Sequence, residues 1–174
     1  SITADADSNG VGDLTLNDLL WIGGTGEIAL SGVDLQNSGQ ILTSGGNVAL
    51  NMTGDVTLNN KVSSGSGDIS IAADGAVTVN DSVDANTTAM ITADADNSGG
   101  EDITINAGQS GGNFVRGTTV TLTSGGSATD VIVDDDFDNT EGGITFDDAL
   151  NTITLNAGVT SVGDIDFGNN EVEL

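Results

Sequence analysis

The chain has 174 residues, enough for one domain with a continuous core, and 27 acidic side chains against 2 basic ones give it a formal net charge of −25. Nucleic acid and anionic membrane surfaces both require clustered cations, so the charge argues against either partner. Histidine and cysteine are absent, which removes disulfides, thiolate metal sites and the commonest general base. No apolar stretch reaches the length of a membrane span, so no membrane insertion is expected.

In chain order, the sequence is a succession of short alternating segments. Each begins near a Gly or an acidic residue, alternates apolar with polar residues, and closes on Asn or another small residue. Period-two alternation bounded in this way predicts half-buried β-strands, and only LNDLLWI (16–22) has a hint of helical spacing. The segments are GDLTLN (12–17), GEIALS (26–31), GNVALN (46–51), GDVTLN (54–59), GDISIA (67–72), GAVTVN (75–80), EDITIN (101–106), TTVTLT (118–123), GGITFD (142–147), NTITLN (151–156) and GDIDFG (163–168).

The segments recur at a nearly constant interval. Three short strands in every rung of about 20–22 residues predict an all-β, single-domain, parallel β-solenoid, or β-helix, of right-handed winding. Residues 1–174 would then form seven to eight rungs. The expected equivalent positions are Ile28, Val48, Ile69 and Ile91 on one wall, Val33, Val56, Val77 and Ile103 on a second, and Ile41, Val62, Val83 and Phe114 on a third.

One long phrase occurs twice. ITADADSNGVGDLTLN (2–17) matches ITADADNSGGEDITIN (91–106), an offset of 89 positions (91 − 2 = 89). An offset of this size corresponds to four rungs. Duplication of a four-rung unit therefore explains the phrase without any catalysis, and it divides the single domain into a super-repeat of 2–90 and 91–174.

The combination GDVTLNN…GDISIAADGAVTVND…ITADAD…GEDITINAG…TVTLTSGG resembles the repetitive shaft of filamentous-haemagglutinin-like adhesins and of other giant secreted bacterial repeat proteins. That resemblance implies a right-handed β-helix at the bacterial cell surface or in the extracellular space, which holds a binding tip away from the cell or forms matrix. Such shafts are usually parts of enormous chains, whereas this chain is short. It is therefore either excised from a longer one or joined end to end with others.

Acidic loops are the candidate metal sites. Carboxylates one residue apart, followed by Asn and Gly, suit Ca²⁺, which takes six to eight oxygen ligands. The EF-hand pattern is not met, and GGTGEI (23–28) departs from the calcium-roll repeat, so a solvated acidic turn is the alternative interpretation. The candidate calcium ligands are Asp5, Asp7 and Asp13 in the first loop, Asp94, Asp96, Glu101 and Asp102 in its twin, and Asp134, Asp135, Asp136, Asp138 and Glu141 in the dense cluster DDDFDNTEGG (134–143).

Catalysis is not expected. A glycosidase needs two carboxyls that face each other across a sugar, and a lyase acting on acidic sugars usually needs basic residues, of which the chain has only Lys61 and Arg116. Outward threonines such as those of TTVTLT suit the polar side of a strand better than an ice-binding surface. Trp21 and Phe114 are expected to fill the core at a corner of the solenoid rather than to form a ligand platform.

The two ends of the sequence both look like uncapped solenoid rungs. SITAD begins directly on a strand, and GDIDFGNNEVEL ends on one. An uncapped solenoid exposes strand edges and an open core. These features predict a non-catalytic extracellular structural protein, a subunit or shaft segment of a filament or adhesin that assembles head to tail. The alternative is a calcium-dependent adhesion or glycan-binding module that contacts glycans or cell surfaces. The candidate assembly residues are Ile2, Ala4, Ile165, Phe167, Val172 and Leu174.

Overall fold

The computed structural model describes residues 1–5, 10–106, 115–126, 129–147 and 150–174, and the secondary structure of these residues consists entirely of β-strands and turns. No helix capable of crossing a membrane occurs among them. The strands are β1 (Ile2–Thr3), β2 (Leu14–Leu16), β3 (Leu20–Ile22), β4 (Ile28–Gly32), β5 (Leu35–Asn37), β6 (Ile41–Thr43), β7 (Val48–Met52), β8 (Val56–Leu58), β9 (Val62–Ser63), β10 (Ile69–Ala73), β11 (Val77–Val79), β12 (Val83–Asp84), β13 (Thr88–Ala93), β14 (Ile103–Ile105), β15 (Val115–Arg116), β16 (Thr119–Ser124), β17 (Val131–Val133), β18 (Phe137–Asn139), β19 (Gly143–Phe146), β20 (Thr152–Leu155), β21 (Val159–Ser161), β22 (Ile165–Asp166) and β23 (Glu171–Glu173).

The strands wind into a parallel β-solenoid, as the alternation predicted. Every third strand joins the same sheet, so β1, β4, β7, β10, β13, β16, β19 and β22 form a first sheet and β2, β5, β8, β11, β14, β17, β20 and β23 a second. The third wall consists of a five-stranded sheet from β3 to β15 and a two-stranded sheet of β18 and β21. The described residues thus make seven complete rungs and an eighth with strands on two walls. The right-handed winding stays a prediction.

Each strand turns its apolar residues inward because side chains alternate between the two faces of a strand. In β8, Val56 and Leu58 are buried and Thr57 between them is half-buried. The segment LNDLLWI, which hinted at a helix, instead spans two strands, β2 and β3. The helical spacing was misleading there because a tight corner separates the two apolar clusters.

The expected columns are largely confirmed, with three corrections. Val56, Val77 and Ile103 are cross-strand partners, but the position before them belongs to Leu35 rather than Val33. On the first sheet Ile91 pairs with Ile71, not with Ile69. A shift of two residues keeps every apolar side chain on the inner face, so alternation alone cannot reveal it. On the third wall Phe114 lies outside the described residues, and Val115 is the partner of Val83.

The twin phrases occupy equivalent places in the rod. Ile2 pairs with Leu30, and the row continues on the first sheet through Leu50 and Ile71 to Ile91. Ile2 and Ile91 therefore lie in one row, four rungs apart. The row is almost completely buried from Leu30 onward, so the repeated isoleucine performs the same packing role in both copies.

Aromatic side chains replace aliphatic ones near the C-terminal end of the core. Phe137 and Phe146 are buried and meet edge to face, with ring centroids 6.4 Å apart. Phe146 also stacks on Phe167, with centroids 5.0 Å apart and 16° between the ring planes. Offset stacked and edge-to-face pairs are the favoured arrangements of aromatic rings. The last rungs are thus filled by three phenylalanines.

Candidate functional sites

The two acidic loops share one stabilising contact. In the first loop the Gly10 amide donates to the Asp5 carboxylate at 3.0 Å, and in the second the Gly99 amide donates to Asp94 at 3.1 Å. Both bonds span five residues. The phrase D-A-D-x-x-G therefore encodes a loop closed by its first aspartate. Asp7 lies outside the described residues.

Asp94 is the more deeply placed of the two loop-closing aspartates. It is 1% exposed, adopts a positive φ of 49°, and accepts a second bond from the Ser98 amide at 2.8 Å. Asp96 is exposed and accepts from the same amide at 3.1 Å. Burial raises the pKa of the neighbouring Asp74, and the charges of Asp96 and Asp94 raise it further. The loop thus concentrates negative charge around a carboxylate that is already used as a backbone acceptor.

Asp13 and Asp102 belong to a different feature, a column of aspartates that precedes the strands of the second sheet. Asp34 accepts from the amide of Asp55, and Asp102 accepts from the amide of Asp130, at 2.8 and 3.1 Å. Each carboxylate caps the amide of the rung that follows it. This role was missed from the sequence, although the recurring Asp before the strand in GDLTLN, GDVTLN and EDITIN was visible. The acidic residue there stabilises the turn from rung to rung.

The dense cluster 134–143 is spread along the rod instead of converging on one point. Asp134 accepts from the Asn156 side chain at 2.8 Å, Asp136 from the Gly158 amide at 3.2 Å, and Asp138 from the Thr160 hydroxyl at 2.7 Å. These carboxylates therefore connect the sixth rung to the seventh. Among residues 1–5, 10–106, 115–126, 129–147 and 150–174, no three acidic side chains approach closely enough to hold a metal ion by themselves. Calcium binding stays a prediction, because Ca²⁺ also accepts backbone and amide oxygens.

Asparagines form a second stabilising column on the outer face of the second sheet. Asn80 donates to the Asn59 side chain at 2.9 Å, and Asn106 donates to Asn80 at 3.0 Å. A different asparagine, Asn37, is fully buried, where its amide group bonds to the carbonyls of Gly39 and Asn60. The Asn that closes each strand segment is thus a structural ladder residue.

The two basic residues meet at one carboxylate on the outside of the third wall. Lys61 Nζ lies 2.7 Å from Asp84 Oδ2, and Arg116 Nε lies 2.6 Å from Asp84 Oδ1. Arg116 also lies 3.7 Å from the Glu141 carboxylate. Burial alone would raise the pKa of Asp84, but the hydrogen bonds and charges of Arg116 and Lys61 outweigh it and hold that pKa below its usual range. The hydrogen bond from Asp84 is in turn the main reason that the pKa of Arg116 is raised.

Trp21 corrects one expectation from the sequence. It is 59% exposed and points outward from β3, in register with Leu42, so it does not fill the core. Its ring lies over Gly23, where an added Cβ would come within 3.0 Å of the indole. Leu19 beside it is also 59% exposed. The strand β3 alternates Leu20, Trp21 and Ile22, and the two aliphatic residues take the inner face.

The candidate assembly residues lie at the two ends of the rod. Ile2 is in the first strand of the first sheet, and Ala4 follows that strand. Ile165 is in the last strand of the same sheet, with Phe167 directly after it, and Val172 is in the last strand of the second. The exposed fractions of Ile2, Val172 and Leu174 are 42%, 37% and 100%. Both ends therefore present apolar side chains next to a strand edge.

Comparison with known proteins adds no family to this description. The chain matched no protein-family model, no curated protein and no solved structure.

Proposed function

We propose that the chain is a non-catalytic structural protein, a shaft segment of an extracellular filament or adhesin that extends by head-to-tail stacking of its terminal rungs. The observation that carries the proposal is the continuity of the buried rows up to both ends of the rod. Val131 and Ile153 are fully buried, and Val172 on the next rung continues their row while 37% exposed. A further rung would bury it as the others are buried.

The surface charge supports a role in an ionic medium. A net charge of −25 keeps rods apart from one another in solution. Salt at about 0.15 M shortens the range of this repulsion to about 8 Å. End-to-end contact is then possible because the ends concentrate exposed apolar side chains, whereas the sides carry most of the acidic groups.

Electron microscopy of the purified 174-residue chain across a salt series, with and without Ca²⁺, tests the proposal. We expect thin unbranched filaments with an axial repeat of about 38 Å, eight strand spacings of about 4.8 Å each. Dispersed single rods under every condition would refute head-to-tail assembly. The same material, incubated with a panel of polysaccharides, is expected to release no new reducing ends or unsaturated products.

A second candidate function is glycan binding on the side of the rod, and the exposed Trp21 favours it. An indole with one open face next to Leu19 and Leu42 offers a stacking platform to a sugar ring. Neutral glycans suit this site better than acidic ones because the molecule is strongly negative. Binding to a glycan array that disappears in Trp21→Ala but persists in Phe167→Ala would support it. A large Ca²⁺-dependent rise in melting temperature would support the calcium-dependent form of this function.

A further inference from the structure

The register of the rod defines how two copies would fit together. Along the first sheet, the row of Ile2 and Ile91 continues through Leu122 to Phe146, on which Phe167 stacks. Along the second sheet, the row that begins at Leu14 ends at Val172. Each of these rows thus starts on the first rung with one apolar residue and finishes on the last rung with another.

We infer that the last rung of one copy pairs with the first rung of the next in this same register, with Phe167 over Ile2 and Val172 over Leu14. The inference rests on the proposed head-to-tail assembly and specifies its joint. The partner is a second copy because the joint repeats an interface that the rod already makes seven times on the first sheet and seven times on the second.

The two end surfaces fit this register. The N-terminal end has a shallow apolar groove lined by Ile2, Leu20, Ile22, Ile28 and Leu30. Phe167, half-buried at the other end, lies in the row that runs to this groove. In the rod the Leu14 amide donates to the Asp34 carbonyl of the next rung at 2.7 Å. In the joint the Val172 amide occupies the equivalent position and donates to the Asp13 carbonyl.

Two features make the joint weaker than the interior of the rod. The third wall has seven described strands, whereas the first and second sheets have eight, so the joint is continuous on two walls only. It also places Glu171 beside Asp13, because Glu171 occupies the position of the aspartate column. Two like charges at this distance repel unless salt screens them.

Engineered disulfides test the register, and the absence of natural cysteine makes them unambiguous. Thr15 and Glu173 point outward and become cross-strand neighbours in the joint. Neighbouring strands lie about 4.8 Å apart, within the Cα separation that a disulfide spans. The matched control T15C/E171C shifts one partner by two residues and separates the Cα atoms by about 8 Å.

Under mild oxidation at high salt, we expect T15C/E173C to give a ladder of covalent oligomers and T15C/E171C to remain monomeric on non-reducing gels. Filaments by microscopy with an equal or stronger ladder in the control, or with no ladder in either variant, would overturn the register and leave the proposed function standing. Absence of filaments under all conditions would overturn both. As an independent readout, E171Q should assemble at lower salt than E101Q, which removes the same charge in the middle of the rod; equal salt midpoints would contradict the joint.

Discussion

Between Ile28 and Ile69 the first sheet repeats after 20 and then 21 residues, whereas from Ala89 the same wall takes 31 residues to Val120 (120 − 89) and 24 to Ile144 (144 − 120). The third wall reflects the same difference. It is one continuous ladder from β3 to β15, but β15 and β18 are adjacent without being joined in one sheet.

The irregular region is held by side chains where backbone pairing is interrupted. The buried Asn139 accepts from the Gly117 amide at 3.3 Å and from the Glu141 amide at 3.2 Å, and it donates to the Gly143 carbonyl at 2.9 Å. The core there is filled by large rings instead of stacked aliphatic rows. Uniform rung length thus lets ladders and rows suffice, while variable rung length requires particular side chains.

The largest expected effect comes from a charge placed inside the regular region. Val77 is fully buried in a row of aliphatic residues, and Val77→Asp would bury a carboxylate without a partner, at a cost above about 4 kcal/mol. We expect loss of the cooperative unfolding transition by circular dichroism. The matched variant Thr78→Asp, on the outer face, should unfold within about 1 kcal/mol of the native chain; similar loss in both variants would contradict the assigned facing.

The next effect tests the aromatic region. Phe146→Ala removes the ring that contacts both Phe137 and Phe167, and we expect a loss of about 3–5 kcal/mol in the free energy of unfolding. Hydrogen exchange should rise mainly in residues 137–167. Leu50→Ala is the control in the regular region and should increase exchange around rungs two to four instead. A uniform rise along the rod in both variants would show that the two regions do not differ.

A smaller effect is expected at the interruption of the third wall. Asn139→Ala leaves two amides and one carbonyl without their side-chain partner, which costs about 1–3 kcal/mol by urea denaturation. Asn59→Ala in the outer asparagine column should cost less than about 1 kcal/mol because its surroundings are open to water. Equal losses would indicate that Asn139 is not a substitute for backbone pairing.

The smallest effect concerns the ion pairs of Asp84. Its pKa is held below the ordinary value of 3.8, so Asp84 contributes stability above that pH and loses it as the pH falls through the lower folded-state pKa. Asp84→Asn should destabilise the rod by about 1 kcal/mol at neutral pH and by nothing well below pH 3.8. The difference between the two chains isolates this group from the general relief of repulsion in acid. A difference independent of pH would exclude the ion-pair explanation.

The sequence predicted the fold well because the solenoid repeats a short instruction. Alternation placed Val56, Val77 and Ile103 on one inner row, and the interval between strands indicated the rung. Register errors occurred at Val33 and Ile91, where a two-residue shift keeps the inner face unchanged. Trp21 was misplaced because residue size suggested burial, whereas its position between Leu20 and Ile22 in β3 directs it outward.

The candidate sites were predictable in kind but not in arrangement. The acidic residues were visible as clusters, yet the contacts of Asp102 and Asp134 depend on which residue of the next rung stands opposite each of them. That depends on rung length, which varies most where the acidic loops occur. The pairing of Asp84 with both Lys61 and Arg116, 23 and 32 positions away, likewise required the register of the third wall.

The nearly constant spacing of paired strands also has a kinetic consequence. In the regular region each new strand meets a partner about 21 residues back, as in the bond from Asp55 to Asp34, which spans 21 positions. Loop-closure entropy depends on that separation, so each added rung meets a similar barrier once a nucleus exists. Folding is therefore expected to propagate along the chain like a zipper, and to pause at Val83, whose next partner Val115 is 32 residues away (115 − 83).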